Sequence, residues 1–406
     1  MANVLVTPSA NIKQEPSVAV NYLSPNIMVA TATDFVNGPP ATGVYRSLDG
    51  GMTWSSMILP FPAGFTGATS NVISYSFPTT FIVASFVFSP GINGTAIVYV
   101  STDNGATFSP PIIVAPGFAT YTNNTEVNLN TDKSQASPFL GFAYLTYTHQ
   151  VNIDIVGGSV TFFQRSTDGG LTWQTPVLIS PEADYVSRSG ATVGFTGIVY
   201  VAYITLSPSV TFKVRRSLNG GVSFEPTVVV DDVVLVPTTL PVPGYAFLVL
   251  TSANIATDTS SMPTNGNVYA VWQDNRLGYA DIFLSRSLND GLTWSVPIRV
   301  TNAPAGSQNF FPSIDVSPKT GEITIIYYSN QLNGFLLDVF LSQSTDGGIT
   351  FINTRITTIS FDPNAGSPIP AASIGNYIDI SSVPPSQFVA VWTDTRTGSQ
   401  KIFADI

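Results

Sequence analysis

The chain is 406 residues long, carries 25 acidic against 15 basic residues for a net charge of −10, and contains no cysteine and one histidine. An acidic chain without a Lys/Arg cluster repels a phosphate backbone, so nucleic acid is not an expected partner; the missing cysteines exclude disulfides, thiolate metal sites and cysteine nucleophiles. Only 10% of the residues are charged and 44% are apolar, against the roughly 25% charged residues usual in soluble domains, so much of the chain must be buried strand.

The first twenty residues, MANVLVTPSANIKQEPSVAV, have neither a basic start nor a long apolar run, and no secretory signal is read in them. Apolar stretches such as Phe81 to Phe88, Ile198 to Leu206 and Ile323 to Tyr328 run six to nine residues between Gly, Pro, Asn and Asp. They are too short to cross a bilayer as helices, and no membrane insertion is expected.

In chain order the predicted elements begin with a strand in NVLVTPS (3–8) and continue as a repeated unit, a two-stranded hairpin followed by an eight-residue box S-x-(D/N)-x-G-x-(T/S)-(W/F). Hairpins start at Pro16, Asn71, Glu126, Ser189, Ser252 and Pro312, and their boxes at Ser47 (SLDGGMTW), Ser101 (STDNGATF), Ser166 (STDGGLTW), Ser217 (SLNGGVSF), Ser287 (SLNDGLTW) and Ser344 (STDGGITF). A seventh hairpin from Ala372 is followed by one strand, QKIFADI, and no box. Box spacings of 54, 65, 51, 70 and 57 residues suit one four-stranded propeller blade each. The sequence therefore predicts an all-β, seven-bladed β-propeller of four-stranded antiparallel blades, one domain over 1–406. Its blades are expected near 16–62, 69–115, 125–180, 188–231, 246–301, 311–360 and 372–406, the last completed by 3–8 so that no sheet edge is left at the seam. A six-bladed ring with a separate C-terminal sheet is the alternative.

The residues of the box follow from the turn it has to make. Asp49, Asp103, Asp168 and Asp346, or Asn219 and Asn289, supply an oxygen that accepts backbone N–H bonds, Gly supplies φ > 0, and the closing Trp or Phe pins the turn to its blade. The Asn copies keep the accepting oxygen and lose the charge, which points to structure rather than catalysis. The pattern resembles the Asp-box (BNR) repeat of sialidases and of many non-enzymatic propellers. That resemblance implies a box joining the third and fourth strands of each blade, on the face opposite the ligand-binding side.

Two near-duplicate segments, WQDNRLGYADIF from Trp272 and WTDTRTGSQKIF from Trp392, put Trp, Asp and Arg at alternate positions, on one side of an extended strand. They are similar to W-x-D-x-R-x-G segments of bacterial Asp-box propellers. Trp272, Asp274, Arg276 and Tyr279, with Trp392, Asp394 and Arg396, are the candidate contacts for a sugar or peptide; the competing reading is an Asp274–Arg276 or Asp394–Arg396 pair that only orders the turn. Sialidase resemblance implies three arginines on a substrate carboxylate, a tyrosine nucleophile with a glutamate, and an aspartate acid/base. The stretch matching the first clamp arginine reads QEPSVAV, and Arg46, Arg165, Arg216 and Arg286 directly precede boxes. Arg188, Arg215, Arg276, Arg299, Arg355 and Arg396 remain. Tyr327 and Tyr328 are adjacent on a strand, so at most one faces a pocket, and Glu15, Glu126, Glu182, Glu225 and Glu322 match no family segment. His149 is read as a lone polar loop residue, Asp231 and Asp232 as the solvated end of a strand, and no cofactor is expected beyond a candidate structural calcium ion. The resulting expectation is a non-catalytic binding or surface-structural module for a glycan or protein partner, self-association included, with an exo-sialidase-type hydrolase as the alternative. The compartment stays open; low charge with abundant Ser, Thr, Asn, Gly and Pro suits an exposed surface such as a cell envelope, spore or virion.

Overall fold

Both faces of a propeller blade are covered by its neighbours, and this is why the second strands read as unbroken apolar runs instead of alternating ones. Met28–Asp34, Val268–Asp274 and Ile323–Ser329 are buried at every position, whereas the outermost strands Ser55–Ile58 and Ile352–Arg355 are mostly exposed. A computed structural model describes residues 3–406 except 37, 91, 118–121, 154–155, 184, 367–372 and 385–386; the side chains of 92–93, 152–153 and 156–157 also lie outside the description. Ala372, the expected start of the seventh hairpin, is among the residues not described.

Seven antiparallel sheets form the ring. Blade one is Lys13–Val20, Met28–Asp34, Ala41–Ser47 and Ser55–Ile58, and blade two is Gly67–Ser76, Thr80–Ser89, Ile92–Ser101 and Ile112–Ala115. Blade three is Thr122–Thr131, Ala143–Ile153, Val156–Ser166 and Val177–Leu178. In blade four the inner strand is split: Tyr185–Val186 and Gly190–Val193 both pair with Val199–Ser207, followed by Thr211–Ser217 and Val228–Asp232. Blade five is Asn254–Thr257, Val268–Asp274, Asp281–Ser287 and Ile298–Arg299, and blade six is Asn309–Val316, Ile323–Ser329, Asp338–Ser344 and Ile352–Arg355. Blade seven is Asp379–Val383, Gln387–Asp394 and Lys401–Asp405, and its fourth strand is the N-terminal Val4–Leu5, with Val4 opposite Ala404 and Leu5 opposite Phe403. The seventh sheet is part of the ring, which overturns the six-bladed alternative. Closure leaves only the short outer strands as edges.

The first strand of each blade touches that of the next around the ring, and blade seven touches blade one. Apolar clusters fill all seven blade interfaces, for example Val18, Met28 and Tyr45 against Val389, Val391 and Ala404 at the seam, and Tyr200 and Phe212 against Trp272 and Phe283 between blades four and five. Four inner strands carry a β-bulge with a non-glycine residue at positive φ in the same place: Glu15 (56°), Ser70 (53°), Glu126 (52°) and Phe311 (51°). Bulges of this kind re-aim a side chain at the cost of about 1–3 kcal/mol of local strain. No helix long and apolar enough to cross a membrane occurs among the described residues.

Candidate functional site

Because successive strands of a blade run antiparallel, the turns between strands one and two and between strands three and four fall on one face. The loops between strands two and three, and the connections between blades, fall on the other. All six boxes lie on the first face. In blade one the Ser47 hydroxyl donates to Asp49 Oδ1 (2.8 Å), the Gly51 N–H to Ser47 Oγ (2.8 Å), the Thr53 N–H to Asp49 Oδ1 (2.9 Å), the Thr53 hydroxyl to Asp49 Oδ2 (2.6 Å) and Trp54 Nε1 to the Gly51 carbonyl (2.8 Å). Gly51 has φ of 89°, and a Cβ there would collide with Ile406 across the seam. In the Asn boxes the backbone bond is kept and the side-chain bond reverses: Asn219 Nδ2 donates to Ser223 Oγ and Asn289 Nδ2 to Thr293 Oγ1, both at 2.9 Å. The arginines before the boxes reach across the blade boundary to the next box, Arg46 to the Asn104 carbonyl (2.7 Å), Arg165 to Gly220 (3.0 Å), Arg216 to Asp290 (2.8 Å) and Arg286 to Gly347 (2.9 Å).

The W-x-D-x-R segments lie at the opposite face, at the ends of second strands, in two copies of one geometry. Trp272 and Trp392 have no exposed surface, and their indole N–H groups donate to Asp274 and Asp394 Oδ2 at 2.9 Å. Asp274 is ion-paired with Arg276 at 2.7 Å and Asp394 with Arg396 at 2.6 Å. Arg276 continues to Asp231 Oδ2 (2.7 Å), and Arg396 to Asn3 Oδ1 (2.9 Å), which ties the segment to the seam strand. Tyr279 is half-buried in the loop that follows. Both tryptophans are therefore covered by protein, and only the loop atoms beyond them reach solvent.

A channel runs along the ring axis, lined by the inner strands of all seven blades, among them Ser17, Ile73, Asn128, Gly190, Asn254, Ser313 and Asp379. At the box face it widens into a cavity of about 550 Å³ among Tyr22, Phe77, Lys133, Phe195 and Asp315, where the Lys133 ammonium stands 5.4 Å from the Tyr22 ring centroid. At the opposite face a cavity of about 210 Å³ is lined by Ser70, Glu126, Arg188, Asn376 and Tyr377 together with apolar residues of blade four and of the connection to blade five. The Arg188 guanidinium lies 3.9 Å from the Tyr377 ring centroid. Glu126 accepts from the Thr148 hydroxyl (2.9 Å); burial pushes its carboxyl above the usual glutamate range, and the charge of Glu15 adds to the shift while Arg188 opposes it. Glu15, buried behind the cavity wall, accepts from the Ser70 N–H (3.1 Å), the Thr33 hydroxyl (3.1 Å) and Asn376 Nδ2 (3.0 Å), and so holds two lining residues in place. Tyr377 donates its hydroxyl to the Asn71 carbonyl (3.1 Å), and burial pushes its pKa up.

The larger box-face cavity carries Lys133, Lys319 and Asp315 beside Asn130 and Gln135, and no guanidinium. At the opposite mouth Glu126, Arg188 and Asn376 meet, with Glu15 bonded from behind to Ser70 and Asn376, and a carboxyl group beside guanidinium and amide donors marks this cavity as the candidate site. Of the ten arginines, Arg188 is the one that lines the channel. Arg299 pairs with Asp281 (2.6 Å), Arg355 with Asp338 (2.7 Å), and Arg215 caps the Glu225 and Phe224 carbonyls, so no three-arginine clamp assembles. Tyr327 and Tyr328 are both fully buried. His149 sits on the strand Ala143–Ile153 rather than in a loop, with Nδ1 2.6 Å from Asn124 Oδ1, which corrects its reading as a loop residue. No three His, Asp or Glu side chains among the described residues gather as a metal-ligand set.

Sequence reasoning named Glu15, Glu126 and Arg188 but brought none of them together. The usable signal is positional: in blades one and three a glutamate occupies the bulge of the inner strand, at QEPS and TEVN, where blades two and six have Ser70 and Phe311. No protein-family model matches the chain, and no curated protein does. Among solved structures, the chain is similar over its whole length to a protein of unknown function from Dyadobacter fermentans (15% identity, 97% of that chain, TM-score 0.53). It is also similar to Penicillium chrysogenum α-L-arabinanase complexed with arabinobiose (14%, all of this chain and 98% of that one, TM-score 0.53) and to the GH93 α-L-arabinofuranosidase of Fusarium graminearum with arabinobiose (13%, all of this chain and 96% of that one, TM-score 0.55). At these identities the likeness is one of fold.

Proposed function

We propose that this chain is an Asp-box propeller that binds a carbohydrate at the channel mouth opposite the boxes, the boxes serving structure alone. The observation that carries this reading is the joint presence of Glu126, Arg188, Asn376 and Tyr377 on one small cavity. Sugar hydroxyls both donate and accept, so they are matched by a carboxyl group beside guanidinium and amide donors. Glycoside hydrolases among the structural neighbours agree with a carbohydrate ligand without fixing it. Hydrolysis is the second reading, favoured by one observation: Glu126 holds its proton to higher pH than an ordinary glutamic acid, near Glu15, which is fixed by three hydrogen bonds. A buried carboxyl group raised in this way is the kind of group that serves as general acid in a glycosidase.

The test is a glycan array and calorimetric titration of the purified chain, run beside assays with chromogenic arabinofuranosides and sialosides. Saturable binding that falls at least about tenfold in Arg188→Ala, without turnover, supports the binding module. Turnover lost in Glu126→Gln would replace it by the hydrolase, and silence in every assay would sink both.

A further inference from the structure

The cavity that holds Glu126 and Arg188 has a second wall of opposite chemistry. Residues 233–253, which connect the outer strand of blade four to the inner strand of blade five, fold over the face opposite the boxes. They are tied down by the Asn275 N–H to Val234 O (2.8 Å), the Val249 N–H to Thr238 O (2.8 Å), the Tyr245 hydroxyl to Phe335 O (2.7 Å) and Asn364 Nδ2 to Gly244 O (2.6 Å). Val236, Leu240, Tyr245, Phe247 and Val249 turn inward and join the core between blades six and seven. Leu235 and Leu250 do not: they stay 39% and 44% exposed on the cavity wall, beside Leu206 of blade four at 37%.

Leaving these three leucines wet, two on a connection that is otherwise anchored and one on blade four, forfeits about 25 cal/mol for each Å² left uncovered. They face the same space as Glu126, Arg188 and Asn376, so one occupant would meet both walls. The cavity, at about 210 Å³, is smaller than the roughly 300–1,000 Å³ of pockets that enclose a whole drug-sized ligand. It takes a small head group, and whatever else the ligand carries lies across the leucine rim. A bare oligosaccharide would set hydroxyls against that rim and leave them without partners. We infer that the ligand is an amphiphilic glycoside, whose sugar meets Glu126, Arg188 and Asn376 and whose apolar aglycone covers Leu206, Leu235 and Leu250. This rests on the carbohydrate reading above and adds the class of glycoside.

Calorimetry with the methyl, n-octyl and phenyl glycosides of arabinose and of glucose tests it, with the octyl compounds kept below micelle formation and n-octanol as control. The octyl or the phenyl glycoside should bind at least tenfold more tightly than the methyl glycoside of the same sugar, and which of the two gains more separates a lipid-like from an aromatic aglycone. The double variant Leu235→Ser/Leu250→Ser, at exposed positions that leave the core intact, should erase that gain and keep the methyl glycoside affinity. Equal affinity for methyl, octyl and phenyl glycosides overturns the inference and leaves the carbohydrate site standing. Octanol binding as tightly as octyl glycoside, or no glycoside binding at all, overturns both.

Discussion

The two faces of the ring are built by opposite rules. On the box face the same turn recurs six times with its Thr or Ser N–H donating to the Asp or Asn oxygen at 2.9 to 3.0 Å, and the arginines before four of the boxes hand one contact to the next blade. On the opposite face repetition is partial: the W-x-D-x-R geometry occurs in two blades and the inner-strand bulge in four. The connections differ in length, blade four splits its inner strand, and the polar groups that gather at the channel mouth come from blades one, two, three, four and seven. A repeated face supplies closure and leaves the irregular face free to vary, which places the chemistry where sequence periodicity is weakest.

The largest effect expected from this division concerns the W-x-D-x-R segments, which lie on the irregular face with both tryptophans fully buried. Trp392→Ala empties a fully buried site in the cluster between blades six and seven and should cost about 3–5 kcal/mol, read as a lowered urea midpoint. Trp272→Ala should behave alike, and glycan affinity of the folded fraction should stay within about twofold of wild type. Loss of binding at unchanged stability would return these tryptophans to the ligand and break the comparison.

Legibility in the sequence follows the same line. The six boxes, the count of seven hairpins and the seam strand could be read because each depends on local residues: an Asx turn, a glycine at positive φ, an alternation of apolar strands. The candidate site could not. Glu126 and the Glu15-bonded residues Ser70 and Asn376 share one cavity only because the inner strands converge on one axis, and Arg188 joins them from the interruption in blade four, which has no periodic counterpart. The W-x-D-x-R segments show the converse: a regular spacing drew attention to them, yet it aligns side chains for an indole–carboxylate–guanidinium contact inside the protein.

A smaller effect separates the arginines of the two faces. Arg286→Ala removes a bond from a charged donor to the Gly347 carbonyl of the next box and should lower stability by about 1–2 kcal/mol. Arg188→Ala removes a guanidinium that has no carboxylate within ion-pair distance among the described residues and stacks on Tyr377, so the stability loss should be about 1 kcal/mol or less, with the larger effect on ligand affinity. Thermal midpoints of both variants measured side by side decide this, and the reverse order would assign the structural arginine to the channel.

The smallest effect, and the one that contrasts the faces most directly, is in their carboxyl groups, because the two sets shift in opposite directions. The hydroxyl and N–H of Thr53, then Ser47, hold Asp49 at about 2, and hydrogen bonds from Thr107 and Ser101 outweigh burial to hold Asp103 at about 2; Asp168 and Asp346 are lowered in the same way. A depressed folded-state pKa contributes stability that is complete above the ordinary aspartate value near 4 and is lost as pH falls toward about 2. Glu126 and Asp379 are raised by burial, so their contribution is complete below the ordinary range and is lost as pH rises through their folded-state values. Replacing Asp49, Asp103, Asp168 and Asp346 together by Asn copies what boxes four and five already contain at Asn219 and Asn289, and the turn should persist with its side-chain bond reversed. Thermal midpoints followed from pH 7 to pH 2 should then fall less steeply for the fourfold variant than for wild type. Glu126→Gln should leave that acid limb unchanged and raise the midpoint on the neutral side. An acid limb identical in wild type and the fourfold variant would mean that the box carboxylates are not the groups whose protonation loosens the ring.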